Sequence, residues 1–241
     1  MMLNYYRTDD ASWTARPLLA NAEEGESMHS LRGAFSETAY IYGEANIWAR
    51  QHIATAAHKV FSLGLGLGYV EILSAAYATA SNTKFSCVSF EALPELTRAI
   101  QAWLRGDANA GIVPYEIYED ILERASRQTG AASETIRREL ANALDQGDWI
   151  VRGALAPDTD FTDARNCHVI AFDAFSRKTT PELWSREFLD RFLAEVPASK
   201  CVLSTYACTG DLKRALRQAN FNLQIRPGFA AKRDSTFATR A

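Results

Sequence analysis

The stretch VFSLGLGLGYVEIL, residues 60–73, sets an apolar run directly before three closely spaced glycines, Gly64, Gly66 and Gly68. A short run of β-branched and aromatic residues predicts a buried strand, and the residues after Gly68 have helical composition. Glycine lets the backbone adopt positive φ and approach a ligand without a Cβ clash. The stretch therefore predicts a strand, a turn and a helix, in which the turn is either the floor of a cofactor site or a plain connection.

The alternation of predicted strands and helices continues along the chain. Further strands are predicted at 84–90, 167–172 and 200–207, with helices at 69–80, 181–196 and 210–219. After the last helix, FNLQIRP and STFATR have no helix between them and predict an antiparallel hairpin. These patterns predict a doubly wound α/β sheet that ends in a reversal.

Two segments do not follow this alternation of strands and helices. Residues 105–148 are charged and rich in strong helix formers, which predicts a helical insertion that acts as a lid or a packing appendage. Residues 1–57 are predicted to be an N-terminal extension, polar and irregular over 1–27, with a hairpin strand at 37–45. We expect residues 1–241 to form a single domain.

Composition and charge limit the classes of function. The 241 residues are 47% apolar and 23% charged, and no uninterrupted apolar stretch reaches the length of a membrane helix. The N-terminal MMLNYYRTDDASW is acidic and aromatic rather than basic and apolar, so we expect a cytoplasmic protein. The net charge of −3 argues against a wholly basic surface but still permits a local patch that binds RNA.

Cysteines and histidines show no metal-ligand spacing. None of the four cysteines forms a CxxC pair, and we expect them to be small core residues. The four histidines are scattered along the chain. We therefore predict no metal site.

The glycine pattern differs from two common phosphate-binding motifs. It is neither GxGxxG nor a P-loop, and it favours a cofactor without a pyrophosphate. The next strand ends at Glu91, 23 residues after Gly68 (91 − 68), where an acidic side chain binds ribose hydroxyls. Glu91 could instead cap the helix that starts at Pro94. Together the two features favour an adenosyl cofactor such as S-adenosylmethionine.

Asp173 follows the apolar strand 167–172, at the sheet edge where ligands of such folds bind. A carboxylate there can hold an ammonium group, accept its proton and orient the nitrogen for methylation. Asp173 is our catalytic candidate, although Asp at a strand end also commonly caps a turn. The neighbouring Phe175 either stacks on a flat base or packs under the loop.

Three segments, LGLGLG, SFEALPE and FDAFSRKTTPELW, together resemble the tRNA 5-methylaminomethyl-2-thiouridine methyltransferases, a family with stand-alone members and members fused to a flavin-dependent oxidoreductase. The C-terminal STYACTGDLKRALRQANFNLQIRPGFAAKRD resembles the family's closing pattern, and MHSLRGAFSETAYIY resembles its N-terminal hairpin. The resemblance spans about residues 26–236 and is weakest between 105 and 165.

The resemblance implies an α/β, Rossmann-like, seven-stranded S-adenosylmethionine-dependent methyltransferase fold with a C-terminal antiparallel hairpin, an N-terminal hairpin and a helical insertion. The implied activity is methyl transfer to the primary amine of 5-aminomethyl-2-thiouridine in a tRNA anticodon loop. Because the chain ends at Ala241, we expect a separate flavin-dependent or other enzyme to supply that amine. The implied cofactor-binding residues are Gly64, Gly66, Gly68, Glu91 and Asp173, and the implied substrate-binding residues are Phe175, Lys178, Phe229, Lys232 and Arg233.

The chain departs from the family pattern at three places. The family's Asp-Gly-Phe-Ala-Pro reads Asp-Ala-Phe-Ser-Arg over 173–177, and Ser62 replaces the acidic residue before the glycines. The Gly-Asp that faces the adenine reads Gly153-Ala154, so Asp158 or Asp160 would have to substitute. These changes leave open a methyltransferase for another amine, including a small molecule, and an inactive binding module.

One concentrated basic group is a candidate RNA contact. It comprises Lys213, Arg214, Arg217, Arg226, Lys232 and Arg233. Such a group predicts salt-sensitive phosphate binding, and the alternative is an ordinary solvated surface.

Overall fold

Strand β3 (Ala57–Leu63) and helix α3 (Tyr69–Ala80) form on either side of the three glycines, as predicted. The computed structural model describes residues 2–18, 23–107, 111–175, 177–231 and 234–240. Every residue of β3 from Val60 to Leu63 is buried, and α3 is buried from Tyr69 to Ala78. The stretch therefore supplies a buried strand of the sheet and the start of a buried helix.

The described residues contain a mixed seven-stranded sheet and a separate two-stranded hairpin. The strands are β1 (Leu3–Arg7), β2 (Trp13–Pro17), β3 (Ala57–Leu63), β4 (Lys84–Phe90), β5 (Trp149–Arg152), β6 (Cys167–Phe172), β7 (Pro197–Thr205), β8 (Asn222–Pro227) and β9 (Asp234–Arg240). The sheet has the order β5-β4-β3-β6-β7-β9-β8, with β3 paired in parallel to both β4 and β6.

Helices flank both faces of this sheet, and apolar side chains fill the space between the layers. The α-helices are α1 (Ala34–Thr38), α2 (Glu44–His52), α3 (Tyr69–Ala80), α4 (Pro94–Leu104), α5 (Tyr115–Thr129), α6 (Ser133–Gln146), α7 (Arg186–Glu195) and α8 (Gly210–Gln218). A π-helix (Ala39–Gly43) joins α1 to α2, and short 3₁₀ turns occur at Thr162–Ala164, Pro181–Trp184 and Phe229–Ala231.

The predicted reversal at the C-terminus is confirmed. Strand β9 pairs antiparallel with β7 on one side and with β8 on the other. The predicted fold class, including its C-terminal and N-terminal hairpins, is therefore confirmed. The helix predicted over 181–196 is divided, because Ser185 caps α7 by accepting a hydrogen bond from the Phe188 N–H at 3.2 Å.

The position predicted for the N-terminal hairpin is wrong. Residues 37–45 are helical, and the hairpin is formed by β1 and β2, within the segment predicted to be irregular. The buried side chains of Phe35, Thr38, Ile41, Ala45 and Ala49 recur at helical intervals. A short stretch of that period also resembles an alternating strand, which explains the error.

The insertion at 105–148 packs onto the body of the protein. Helices α5 and α6 bury Ile117, Ile121, Ile136 and Leu140 against α3 and α4. None of the described residues of 105–148 lines the cavity at the site described below. Of the two predicted roles, the structure favours the packing appendage.

The strand cysteines behave as predicted core residues, because Cys87, Cys167 and Cys201 are buried. In the described parts of the chain, no helix has the length and apolar character needed to cross a membrane. The same residues contain no group of three or more His, Cys, Asp or Glu side chains that could hold a metal ion.

Candidate active site

A cavity of about 640 Å³ opens at the carboxyl ends of β3, β4, β6 and β7. This is the edge at which open α/β sheets bind their ligands, and the volume suits a small-molecule ligand. Its described lining comes from the glycine turn, the strand tips, the π-helix and the segment 26–29. The lining residues are Pro17, Glu26, Ser27, Met28, His29, Glu37, Thr38, Ile41, Tyr42, Leu63, Gly64, Gly66, Phe90, Glu91, Ala92, Leu93, Ala154, Leu155, Asp173, Ala174, Phe175, Thr180, Glu182, Leu183 and Tyr206.

The glycine turn forms one wall of this cavity. Gly64 has φ +85°, and a Cβ there would lie 3.1 Å from the Asp173 carbonyl oxygen, so glycine allows the tips of β3 and β6 to approach. Gly66 has φ +52° and donates its N–H to Glu91 Oε2 at 2.8 Å. Gly68 does not line the cavity, because it precedes α3 and lies against Ile100. The structure thus brings two of the three glycines to the site.

Glu91 holds the turn while facing the cavity. Its other oxygen, Oε1, accepts the Leu93 N–H at 2.8 Å, just before α4 begins. Burial raises the pKa of Glu91, and the backbone N–H groups of Gly66, Leu93 and Ala92 oppose that rise by stabilising the carboxylate. The predicted alternative, that Glu91 caps α4, is wrong, because its hydrogen bond goes to the Leu93 N–H ahead of the helix and no side chain caps the first turn. Each carboxylate oxygen has a second lone pair, so a ligand hydroxyl can also bind.

Asp173 stands at the tip of β6 and faces two tyrosines. Burial raises the pKa of Tyr42 well above its usual range, and the charge of the Asp173 carboxylate raises it further. Burial also raises the pKa of Tyr206, again with a contribution from Asp173. The Tyr206 hydroxyl donates to the Ala174 carbonyl oxygen at 2.6 Å. Asp173 is thus flanked by two phenols that remain protonated at neutral pH.

The described lining is strongly acidic. It contains five carboxylates, Glu26, Glu37, Glu91, Asp173 and Glu182, and neither lysine nor arginine. In a partly enclosed space, the negative charges attract a cation more strongly than they would in water. The site is therefore suited to a positively charged ligand.

Residues 26–29 of the N-terminal extension form part of the cavity wall. Two hydrogen bonds hold this segment: the Met28 N–H donates to the Ala15 carbonyl oxygen at 3.0 Å, and the neighbouring Ser30 N–H donates to the Glu37 side-chain Oε2 at 2.6 Å. On the far side, Thr179 Oγ1 donates to Glu26 Oε2 at 3.0 Å. The extension therefore completes the cavity wall.

The predicted substrate residues lie at different distances from this cavity. Phe175 lines it, and Lys178 is exposed on the following loop. Phe229 is outside the lining and lies 6.3 Å from the Tyr40 ring, between centroids. Lys232 and Arg233 are outside the described residues.

Asp158 and Asp160, considered as partners for the adenine, are not among the lining residues. Asp160 accepts hydrogen bonds from the backbone and hydroxyl of Thr162 instead. Ala154, which stands where the family pattern has its Asp, does line the cavity, together with Leu155. An adenine base there would meet apolar side chains and backbone groups rather than a carboxylate.

The predicted basic group is divided between two roles. The Arg226 side chain is only 15% exposed, pairs with Glu44 and lies over the rings of Tyr40 and Phe237, which makes it a structural residue. On α8, Arg214 pairs with Asp211 at 2.6 Å, Arg217 is exposed and Lys213 is half-buried. Asp211 also pairs with Arg177, which places α8 beside the loop at the cavity mouth.

The sequence patterns do not predict the roles of Glu37, Tyr42 and Tyr206. The first two lie in the segment interpreted as a strand, where the wrong period hides which side chains share a face. Tyr206 directly follows β7. The rule that locates Asp173, that ligands bind beyond the carboxyl ends of strands, could have located Tyr206 as well.

Comparison with known proteins identifies the group to which the chain is related. Residues 154–241 match the family described as S-adenosyl-L-methionine-dependent methyltransferase. Over 87% of its length, the chain is 25% identical to the tRNA 5-methylaminomethyl-2-thiouridine biosynthesis bifunctional protein MnmC of Chromohalobacter salexigens. The chain is thus similar to the methyltransferase part of MnmC proteins. The resemblance inferred from the motifs is confirmed.

Two further similarities agree with this result. The MnmC protein of Hahella chejuensis is 41% identical over 64 residues, which cover 27% of this chain. A crystal structure of MNMC2 from Aquifex aeolicus superimposes with a TM-score of 0.66 over 98% of this chain and 70% of that one, at 19% identity, and shows the common fold. The matched segments cover 10% of the H. chejuensis protein and 29% of the C. salexigens protein, so the chain spans less than a third of these relatives.

Proposed function

We propose that this chain transfers a methyl group from S-adenosylmethionine to the primary amine of 5-aminomethyl-2-thiouridine at the wobble position of a tRNA. The acidic cavity at the sheet edge carries this proposal, since five carboxylates without a lysine or arginine in the described lining suit two cationic ligands. The sulfonium cofactor is one cation, and the protonated amine is the other. The choice of tRNA nucleoside is supported by the names of the MnmC relatives.

The residues present fit this cofactor. Positive φ at Gly64 and Gly66 creates space beside the strand tips, and Glu91 offers acceptor lone pairs for ribose hydroxyls. Phe90, Leu93 and Leu155 provide an apolar slot for a base. When bound, the cofactor supplies an electrophilic methyl group and becomes a neutral thioether after transfer. The acidic wall therefore favours the charged cofactor over the spent one.

Asp173 is proposed as the catalytic residue. An ammonium nitrogen has no free lone pair, so it must lose a proton before it can attack. The Asp173 carboxylate, at the tip of β6, can hold the ammonium group by a charge-assisted hydrogen bond and accept its proton. Holding the nitrogen in line with the methyl carbon supplies the remaining catalytic effect.

We propose that the RNA binds around the mouth of the acidic cavity. We propose that Phe175 stacks on the target base, which its position in the cavity wall supports. We propose that Lys178, Lys213 and Arg217 contact phosphates, which the exposure of Lys178 and Arg217 supports. We propose Phe229, Lys232 and Arg233 as further substrate contacts. A tRNA substrate implies a cytoplasmic location, and we propose that residues 1–241 act as one domain.

The primary amine must come from another reaction. A flavin-dependent oxidation that removes a larger N-substituent would leave the aminomethyl group that this site methylates. We propose that a separate enzyme activity supplies it.

A second candidate function is the methylation of a small amine without RNA. The acidic cavity and the net charge of −3 favour it, because neither requires a polyanionic partner. The altered loop at 173–177 is the corresponding reason to test an inactive cofactor-binding module.

The test uses labelled S-adenosylmethionine with three acceptors: tRNA carrying aminomethyl-2-thiouridine, the same tRNA without that modification, and the free modified nucleoside. Label on the modified tRNA alone, reduced by salt, supports the proposal. Equal labelling of the free nucleoside, unaffected by salt, favours the small-amine function. Calorimetric binding of the cofactor with no label on any acceptor indicates the inactive module.

A further inference from the structure

Tyr42 presents a buried hydroxyl to the cavity beside Asp173. It lies on the π-helix Ala39–Gly43, and its residue is 4% exposed. Tyr42 belongs to a buried cluster with Val70 and Ala171, and this packing holds its side chain against α3 and β6. Short π-helical insertions occur frequently at functional sites, because the widened turn redirects side chains.

Other structural contacts fix this turn in place. Ser204 Oγ donates to the Ile41 carbonyl oxygen at 2.5 Å, which ties the π-helix to β7. The Tyr40 hydroxyl donates to the Pro227 carbonyl oxygen at 2.9 Å, which ties it to the C-terminal hairpin. The position of Tyr42 is therefore set by the fold rather than by its own hydroxyl.

The hydroxyl of Tyr42 has capacity left for a ligand. Asp173 is its side-chain hydrogen-bond partner, toward which the O–H can donate, and no described residue donates a hydrogen bond to the Tyr42 oxygen. A hydroxyl that donates to a carboxylate keeps two acceptor lone pairs, so this oxygen at the cavity wall can still accept a ligand N–H. Tyr206 and Glu37 differ, because the first donates to Ala174 and the second accepts from Ser30.

We propose that Tyr42 is a positioning residue that orients the acceptor amine against Asp173. The inference rests on the proposed function. In the loaded site, the Tyr42 O–H donates to the Asp173 carboxylate, and a lone pair of its oxygen accepts one N–H of the amine.

The chemistry explains why two holding groups are useful. A primary amine that has given one proton to Asp173 keeps two N–H groups and one lone pair. If Asp173 and Tyr42 hold these groups, the lone pair points toward the methyl carbon. The C–N bond forms as the C–S bond breaks, and the electron pair of the broken bond goes to sulfur. The product leaves as a secondary ammonium, and the proton on Asp173 passes to solvent.

The test is Tyr42→Phe, with Tyr118→Phe as the matched control. The Tyr118 hydroxyl is also buried, but it has no hydrogen-bond partner among the described residues, lies in α5 against Trp103 and does not line the cavity. We expect Tyr42→Phe to lower kcat/KM for the modified tRNA by about ten- to a hundred-fold, the range for a lost hydrogen bond to a charged group. Cofactor affinity, measured by calorimetry, and the thermal midpoint should match those of Tyr118→Phe.

A double-mutant cycle separates positioning from packing. On an Asp173→Asn background, Tyr42→Phe should cost much less than it does alone, because both residues act on the same nitrogen. An unchanged kcat/KM for Tyr42→Phe, or a loss that is fully additive with Asp173→Asn, overturns the inference while the parental transfer stands. Absence of methyl transfer by the parent protein instead overturns the proposed function, and this inference with it.

Discussion

Asp173 is the residue on which the proposed chemistry depends most. It is the carboxylate at the β6 tip, and it faces Tyr42 and Tyr206. Asp173→Asn keeps the shape but removes the proton acceptor, so we expect turnover to fall by about 10²- to 10⁴-fold, the usual contribution of a general base. Single-turnover methyl transfer at saturating S-adenosylmethionine measures this fall separately from any change in cofactor affinity.

Asp160→Asn is the matched control for this change. Asp160 accepts a hydrogen bond from Thr162 and does not line the cavity. Its replacement should therefore leave methyl transfer at the parental rate. Near-parental turnover by Asp173→Asn, with normal cofactor binding, would remove Asp173 from the mechanism.

At the scale of residues, the sequence predicts those site residues whose type indicates where they lie in a strand or turn. Glycines after a strand indicate a turn, and acids at strand ends indicate the ligand edge, which locates Gly64, Gly66, Glu91 and Asp173. Gly68 has the same residue type but packs on Ile100, because only the fold determines which glycine of the turn faces the cavity. Tyr42 has no such marker, since its role depends on the geometry of a π-helix.

At the scale of elements, a buried carboxyl joins α3 to the sheet behind the glycine turn. Glu71 is fully buried, and its Oε1 accepts a hydrogen bond from Ser89 Oγ at 2.7 Å. The Trp149 indole N–H donates to the same Ser89 oxygen at 3.0 Å. Burial raises the pKa of Glu71 from 4.5 to about 7. The folded protein therefore retains a proton that the unfolded chain loses at lower pH.

This raised pKa predicts a stability that falls with rising pH. The folded state binds the extra proton between pH 4.5 and about 7, so the stabilisation is complete below that window and lost above it. Glu71→Gln keeps the acceptor for Ser89 and does not titrate. We expect the difference in unfolding free energy, parent minus variant, to decrease by about 2 to 3 kcal/mol between about pH 5 and about pH 8. Urea denaturation across this range measures it, and a constant difference would show that Glu71 ionises normally.

The accuracy of the element predictions depended on length and period. Strands β4 and β6 and helix α3 have the predicted bounds, because buried strands and long helices have distinct compositions. The segment 37–45 was too short for its period to be decided locally. Its helical conformation is set by burial against α3 and the sheet, which is a tertiary effect.

At the scale of the whole molecule, charge is separated between the cavity and α8. The described lining is acidic, while half-buried Lys213 and exposed Arg217 lie on the helix beside the mouth. The joint change Lys213→Glu and Arg217→Glu should weaken tRNA binding and reduce the slope of log affinity against log salt by about one for each lost phosphate contact. Cofactor affinity should stay at the parental value, because α8 does not line the cavity.

The control for net charge is Arg105→Glu with Arg138→Glu, two exposed residues of the insertion side. This pair makes the same change in charge away from the mouth. Equal weakening in both double variants would show that only the overall charge matters, and no weakening in either would remove α8 from the RNA contact.

The most direct measurement of the central claim is nucleoside mass analysis of tRNA after reaction with S-adenosylmethionine. The account predicts one added methyl group on the aminomethyl nitrogen of the wobble 2-thiouridine with the parent protein, and none with Asp173→Asn or with tRNA that lacks the aminomethyl group. A methyl group at another position of the tRNA, or one that forms equally well with Asp173→Asn, would contradict the assignment of this cavity.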